Sequence, residues 1–231
     1  MPSFKLPHTI AAVTLLSAAS FAFALSLADL SSKDATTGVK TALEKGATVA
    51  VAKLGVENGF LNNDKVRIGL PGSLEKAMPI LRMMGQGKKV DELQTSMNHA
   101  AEAAVAQAKP LLLNAVKSMS VTDAKNILTG GETSVTDFFR QKTATPLSAQ
   151  FLPIVKKITD KNGLSAKYNT LMGKASSSGL VSKEEATVEN YVTQRAMDGL
   201  YTIIADEEKA IRADPIGTGS AILGKVFGAV K

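Results

Sequence analysis

Residues 191–215, YVTQRAMDGLYTIIADEEKAIRADP, constrain the fold more than any other stretch because they form the longest clean helical pattern in the chain. Their apolar residues recur at steps of three and four, which places them on one face of an α-helix; they are Val192, Ala196, Leu200, Ile203, Ile204 and Ile211. A helix with one apolar face needs a partner surface. Gly199 lies mid-helix, where glycine costs roughly 1 kcal/mol relative to alanine, so we expect a neighbouring helix to pack closely there.

A secretory signal peptide is predicted for residues 1–24. Lys5 precedes an apolar run of about a dozen residues, which is too short for a membrane-spanning helix of ~20 residues. An A-x-A cleavage site ends at Ala24, and the next residue, Leu25, excludes a lipoprotein anchor at that site. We therefore expect a soluble protein exported to the periplasm of a Gram-negative bacterium.

The chain has 231 residues, no cysteine and a formal net charge of +6. Without cysteine, stability must come from a packed core, and thiol chemistry and cysteine metal sites are excluded. The basic surplus is compatible with anionic lipid or an envelope polymer as partner, or with an ordinary solvated surface. Nucleic acid is disfavoured because no basic run carries interleaved aromatic residues.

Helix starts are predicted where a serine precedes an acidic residue by three positions, as in a capping box; these serines are Ser31, Ser120, Ser134 and Ser182. Glycines at positions 55 and 130–131 mark helix ends. Thr145 and Pro146 predict a further helix start, with a bend at Pro153. Only a short segment near 65–70 has an extended pattern. The sequence thus predicts a single all-α domain over residues 25–231, with roughly eight to ten helices.

Several motifs together resemble a family of exported bacterial proteins known only as domain of unknown function 4197. The matching stretches are Gly59-Phe60-Leu61-Asn62-Asn63, Lys65-Val66-Arg67-Ile68, Ser96-Met97-Asn98, Ala100-Ala101-Glu102, Ile127-Leu128-Thr129-Gly130-Gly131, Asp137-Phe138-Phe139-Arg140, Tyr191-Val192-Thr193, Glu207-Glu208-Lys209, Ile211-Arg212 and Asp214-Pro215. Two positions depart from the pattern: His99 replaces an expected arginine, and Gly69 an expected proline. The resemblance implies a compact exported helical domain and implies no reaction.

Ten residues of these motifs are candidates for ligand binding or another motif role. They are Phe60, Asn62, Asn63, Arg67, Asn98, Asp137, Arg140, Tyr191, Glu208 and Arg212. We expect the motif-rich loop at residues 56–72 to meet the acidic helix around one cleft. No cofactor is predicted.

Three possible ligand sites have more ordinary explanations. His99 is the only histidine after residue 24, so a two-histidine zinc site within one chain is excluded. The run Asn62-Asn63-Asp64 offers oxygen ligands but lacks the acids of an EF-hand, so we predict a turn and no metal. Gly130-Gly131 lacks the surrounding pattern of a phosphate loop and is interpreted as a helix end.

The acidic run on the long helix has two interpretations. A carboxylate at the margin of an apolar stripe must be hydrated or paired. We predict that Glu208 or Glu207 pairs with Arg67 or Arg140 across a helix interface, although Arg212 is the nearest partner along the helix itself. The alternative is a hydrolase of an envelope polymer in which Glu207 and Glu208 supply a general acid and a base. The absence of tryptophan disfavours a sugar-stacking platform.

Residues 216–231, which begin at Ile216 and end at Lys231, predict an amphipathic C-terminal helix. Such a helix either docks on its own domain or lies in a membrane interface. We predict a non-enzymatic protein that binds an amphiphile, peptide or envelope component. The alternatives are the Glu207 and Glu208 hydrolase and a structural or assembly factor that uses the C-terminal helix at the membrane surface.

Overall fold

The computed structural model describes residues 31–177, 182–183, 185–217 and 220–228, and the predicted signal peptide lies outside these ranges. The described residues form nine α-helices and no β-strand. The helices are α1 (Ser32–Leu54), α2 (Gly72–Met83), α3 (Gly87–Val105), α4 (Lys109–Lys117), α5 (Val121–Thr129), α6 (Ser134–Thr159), α7 (Gly163–Ser177), α8 (Val188–Ala213) and α9 (Ala221–Gly228). The prediction of a single all-α domain is confirmed.

The core forms where α8 meets α6, α3 and α1, and α6 and α8 share the most extensive interface. The apolar stripe predicted for α8 faces this core, and Val192, Ala196 and Leu200 are fully buried. Phe139 and Phe151 of α6 and Leu93 of α3 fill the space opposite. One continuous apolar cluster therefore joins all nine helices.

The predicted capping signals define two helix starts directly. The hydroxyl of Ser31 accepts a hydrogen bond from the Asp34 amide at 3.0 Å and begins α1. Ser120 and Asp123 form a complete capping box at α5, and these bonds to Ser120 lower the pKa of Asp123. The Asp34 pKa is lowered by a hydrogen bond from Lys225 of α9 and by its bond to Ser31.

The predicted helix start at Thr145 and Pro146 is wrong. Helix α6 runs without interruption from Ser134 to Thr159 and contains both Pro146 and Pro153. An interior proline costs about 3 kcal/mol because it removes a backbone hydrogen bond. Burial of Leu147, Phe151 and Val155 along the same face outweighs that cost.

The loop between α1 and α2 contains the segment that was expected to be extended. Residues 67–71 have no regular secondary structure and form no strand. The loop does meet α8 as predicted, since the Phe60 ring and Val66 pack onto Gly199. The close neighbour of Gly199 is therefore this loop, and the expectation of a neighbouring helix is wrong.

The C-terminal helix is shorter than the predicted 216–231. Helix α9 covers Ala221–Gly228, and residues 218–219 and 229–231 lie outside the described residues. Its apolar side chains Leu223, Val226 and Phe227 are buried, chiefly against α1. Gly38 of α1 makes this contact possible, because a Cβ there would lie 2.5 Å from the Val226 Cγ2 atom.

The close packing at Gly199 predicts opposite effects for two glycine substitutions. A Cβ at Gly199 would lie 2.6 Å from Cε1 of the buried Phe60 ring, whereas one at Gly173 of α7 meets nothing within 4 Å. We expect Gly199→Ala to lower the free energy of unfolding by roughly 1–3 kcal/mol through overpacking. The matched control, Gly173→Ala, should raise it by about 0.5–1 kcal/mol through helix propensity. Urea denaturation measures both, and a gain in both variants would contradict the tight contact.

Candidate functional site

Glu208 of α8 caps the first turn of α6. Its carboxylate accepts hydrogen bonds from the backbone amides of Val135 and Thr136 at 3.1 and 3.2 Å. Thr133, the N-cap residue of α6, makes no side-chain capping bond, so Glu208 supplies the cap from another helix. A negative charge at a helix N-terminus also interacts favourably with the helix dipole.

Arg212, one turn further along α8, completes this cluster. Its Nη2 atom donates to Glu208 Oε1 at 2.9 Å, to the Ile127 carbonyl at 3.0 Å and to Ser134 Oγ at 2.8 Å. Its guanidinium also lies 5.5 Å from the ring centroid of Phe227. The Glu208–Arg212 pair therefore joins the end of α5, the start of α6 and helix α9 to α8.

The prediction that Glu208 or Glu207 pairs with Arg67 or Arg140 is wrong. Arg140 lies over the Tyr201 ring, 4.7 Å from its centroid, and approaches Asp198 at 3.5 Å. Arg67 is exposed on the loop after α1. The local pairing with Arg212 prevails because an interval of four residues already places the two side chains together on one helix.

The neighbouring acids make separate surface contacts. Glu207 pairs with Lys53 of α1 at 2.6 Å, and Asp206 pairs with Lys65 of the loop at 2.7 Å. The Glu208 side chain is 1% exposed and each of its oxygens accepts several hydrogen bonds. Paired-carboxylate hydrolysis needs two carboxylates that face one open polar cleft. Glu207 and Glu208 do not have this arrangement.

Two side chains of α3 hold the loop after α1. Asn98 is fully buried, and its amide group exchanges hydrogen bonds of 2.8 and 2.9 Å with the backbone of Ile68. Glu102 accepts hydrogen bonds from the amides of Asn58, Phe60 and Leu61 at 3.0–3.1 Å. Phe60 is thereby fixed in its buried position against Gly199.

The role of Glu102 was missed at the level of sequence. Glu102 belongs to the motif Ala100-Ala101-Glu102, but only the fold shows that three loop amides converge on its carboxylate. Glu189 was missed in the same way, because the fold alone brings its buried carboxylate to the Asn169 amide group at 2.8–2.9 Å. In both cases the available signal was an acidic residue at a position that the helical pattern turns inward.

The other candidates lie apart from one another. Asn62 is exposed, and Asn63 Oδ1 accepts a hydrogen bond from the Lys65 amide at 3.2 Å, as in an Asx turn. Asp137 is exposed on the rim of a polar groove of about 520 Å³ beside α5 and α6. Tyr191 is buried, which raises its pKa, and its hydroxyl donates to the Leu70 carbonyl at 3.5 Å.

The structure also locates His99 and Gly130, which belong to two of the possible ligand sites. His99 Nε2 lies 3.4 Å from Asn58 Oδ1 and 4.0 Å from Glu102. Gly130 is the C-cap residue of α5, in agreement with its interpretation as a helix end. Across the described ranges, no three histidine, aspartate or glutamate side chains are grouped so that they could hold a metal ion.

An exposed apolar face on α2 was also missed by the sequence reasoning. Ile80 and Met83 of α2 and its C-cap residue Met84 are 61%, 87% and 67% exposed, and their spacing places them on one side of the helix end. Among the residues of α2, only Leu74 is buried, while Met78 and Leu81 are partly buried against the core. The signal was present in the sequence, because apolar residues on both faces of a surface helix indicate a second partner surface.

These observations define a helical domain whose motif residues chiefly hold its own elements together. The chain belongs to the family described as Protein of unknown function (DUF4197), whose sequence profile matches residues 29–228. No curated protein and no solved structure matches the chain. Among the helices that the structure describes, none is long and apolar enough to cross a membrane.

The capping role of Glu208 predicts a large loss of stability on neutralisation. Glu208→Gln removes the buried negative charge that Arg212 and the α6 amides contact. We expect the free energy of unfolding to fall by roughly 2–4 kcal/mol. The adjacent Glu207→Gln is the matched control, because its partner Lys53 is 57% exposed. It should cost about 1 kcal/mol or less. Equal losses in chemical denaturation of the two variants would contradict the capping role.

Proposed function

We propose that this protein is a non-enzymatic binding protein of the bacterial envelope that docks on the surface of a lipid bilayer through α2. The observation that carries the proposal is the exposed face formed by Ile80, Met83 and Met84. A contiguous apolar face on a domain surface marks an interaction site. Methionine suits a fluid and irregular partner because its unbranched side chain adapts its shape.

The surroundings of this face support a membrane surface. Lys76, Arg82 and Lys88 lie on or beside α2 with exposed side chains, and Arg82 and Lys88 make only long, exposed contacts of 3.7 and 3.8 Å with acidic residues of α3. Interfacial helices combine an apolar face with flanking cations in this way, since the cations attract anionic headgroups. The predicted signal peptide would bring the chain to the compartment where such a surface is available.

Two other sites predicted from the sequence, the C-terminal helix and Glu208, are already occupied by contacts within the domain. Helix α9 already buries Leu223, Val226 and Phe227 against its own domain, so its apolar face is occupied. Glu208 is saturated by backbone amides and Arg212. Neither site therefore offers a free surface comparable to the face of α2.

Vesicle flotation of the full chain tests the proposal. We expect the protein to float with vesicles of phosphatidylcholine and phosphatidylglycerol, and the double variant Met83→Ser, Met84→Ser to bind roughly tenfold to a hundredfold more weakly. The loss follows from the apolar area that the two side chains no longer bury. The stability of the variant should change little, because both side chains are exposed.

The matched control removes two exposed valines elsewhere. Val56 and Val121 are 53% and 48% exposed, and neither belongs to α2. The double variant Val56→Ser, Val121→Ser should float as the unaltered chain does. Undiminished flotation of the methionine variant would contradict docking through α2 and would favour residues 216–231 instead.

A further inference from the structure

A basic groove of about 250 Å³ opens beside the exposed face of α2, between the first residues of α3 and α7. Three lysines line it: Lys89 from α3, Lys161 from the turn before α7, and Lys167 from α7. The one carboxylate in its wall, Glu92, lies 3.8 Å from Lys88, which is outside the groove lining. The groove therefore has a surplus of positive charge.

The three groove lysines have no carboxylate of their own in the part of the chain that the structure describes. All three are exposed, and none forms an ion pair there. Like charges that share a groove raise each other's energy, and an anion bound among them removes that cost. The first residues of α3 and α7 add the positive ends of two helix dipoles to the same wall.

The groove and the apolar face of α2 are adjacent. Gln86 lines the groove, and its side-chain amide donates to the backbone carbonyl of Met84 at 3.5 Å. Met84 belongs to the exposed apolar face, so an apolar surface and a cationic surface meet within two residues. A phospholipid has the complementary arrangement, with a charged phosphate next to its acyl chains.

We infer that the groove lined by Lys89, Lys161 and Lys167 binds the phosphate of an anionic phospholipid headgroup while the α2 methionines enter the acyl boundary. The inference rests on the proposed function and assigns it a lipid preference. The methionines supply affinity for any bilayer surface, and the lysines supply selectivity for negative charge. The docked surface is thus an anionic bilayer.

The test compares two vesicle compositions, phosphatidylcholine alone and phosphatidylcholine with phosphatidylglycerol. We expect the triple variant Lys89→Gln, Lys161→Gln, Lys167→Gln to lose about fivefold in affinity for the anionic vesicles for each lysine removed. Its binding to neutral vesicles should be unchanged. Added salt should weaken anionic binding of the unaltered chain more than that of the variant.

The control removes the same charge elsewhere, with Lys109→Gln, Lys125→Gln and Lys142→Gln on α4, α5 and α6. Equal losses in the two triple variants would show a diffuse charge effect and would overturn the groove site, while the methionine result would still stand. Loss of flotation in the methionine variant alone would support α2 docking without lipid selectivity and would likewise overturn the groove.

Calorimetry with inorganic phosphate is the third part of the test. Saturable phosphate binding without preference for anionic vesicles would overturn the lipid assignment.

Discussion

The fold depends on the ion pair between buried Glu208 and half-buried Arg212. A carboxylate removed from water costs several kcal/mol unless charge and hydrogen bonds replace its hydration. Here the first-turn amides of α6 and the Arg212 guanidinium do so, and the same guanidinium reaches the end of α5 and the face of α9. One ion pair therefore fixes the relative positions of four helices, in a chain with no disulfide to do so.

The same arrangement recurs twice, each time around a buried carboxylate. Glu102 gathers three amides of the loop after α1, and Glu189 binds Asn169 at the junction of α7 and α8. Three polar motif residues, Glu102, Glu208 and Arg212, are explained by these contacts. Part of the family pattern therefore holds the domain together, and the exposed face of α2 lies outside the motif stretches.

Much of this fold could be predicted from local patterns. The stripe of α8, the capping box at Ser120 and the end of α5 at Gly130 are each decided within a few residues. The continuous α6 could not be predicted, because its two prolines are offset by burial against distant helices. The backbone partners of Glu208 could not be predicted either, because amides 72 and 73 residues away leave no side-chain signature, whereas Arg212 was within reach of the four-residue spacing. The exposed face of α2 could have been predicted, because α2 has more apolar residues than one buried face requires.

The most direct test of the account places a fluorescent reporter on α2. The chain contains no tryptophan, so Met83→Trp introduces a single tryptophan at the centre of the proposed contact. With anionic vesicles we expect its emission to shift to the blue and to be quenched by lipids brominated in their acyl chains. The reference variant Val121→Trp should show neither effect. Unshifted emission from Met83→Trp in protein that does bind the vesicles would contradict docking through α2.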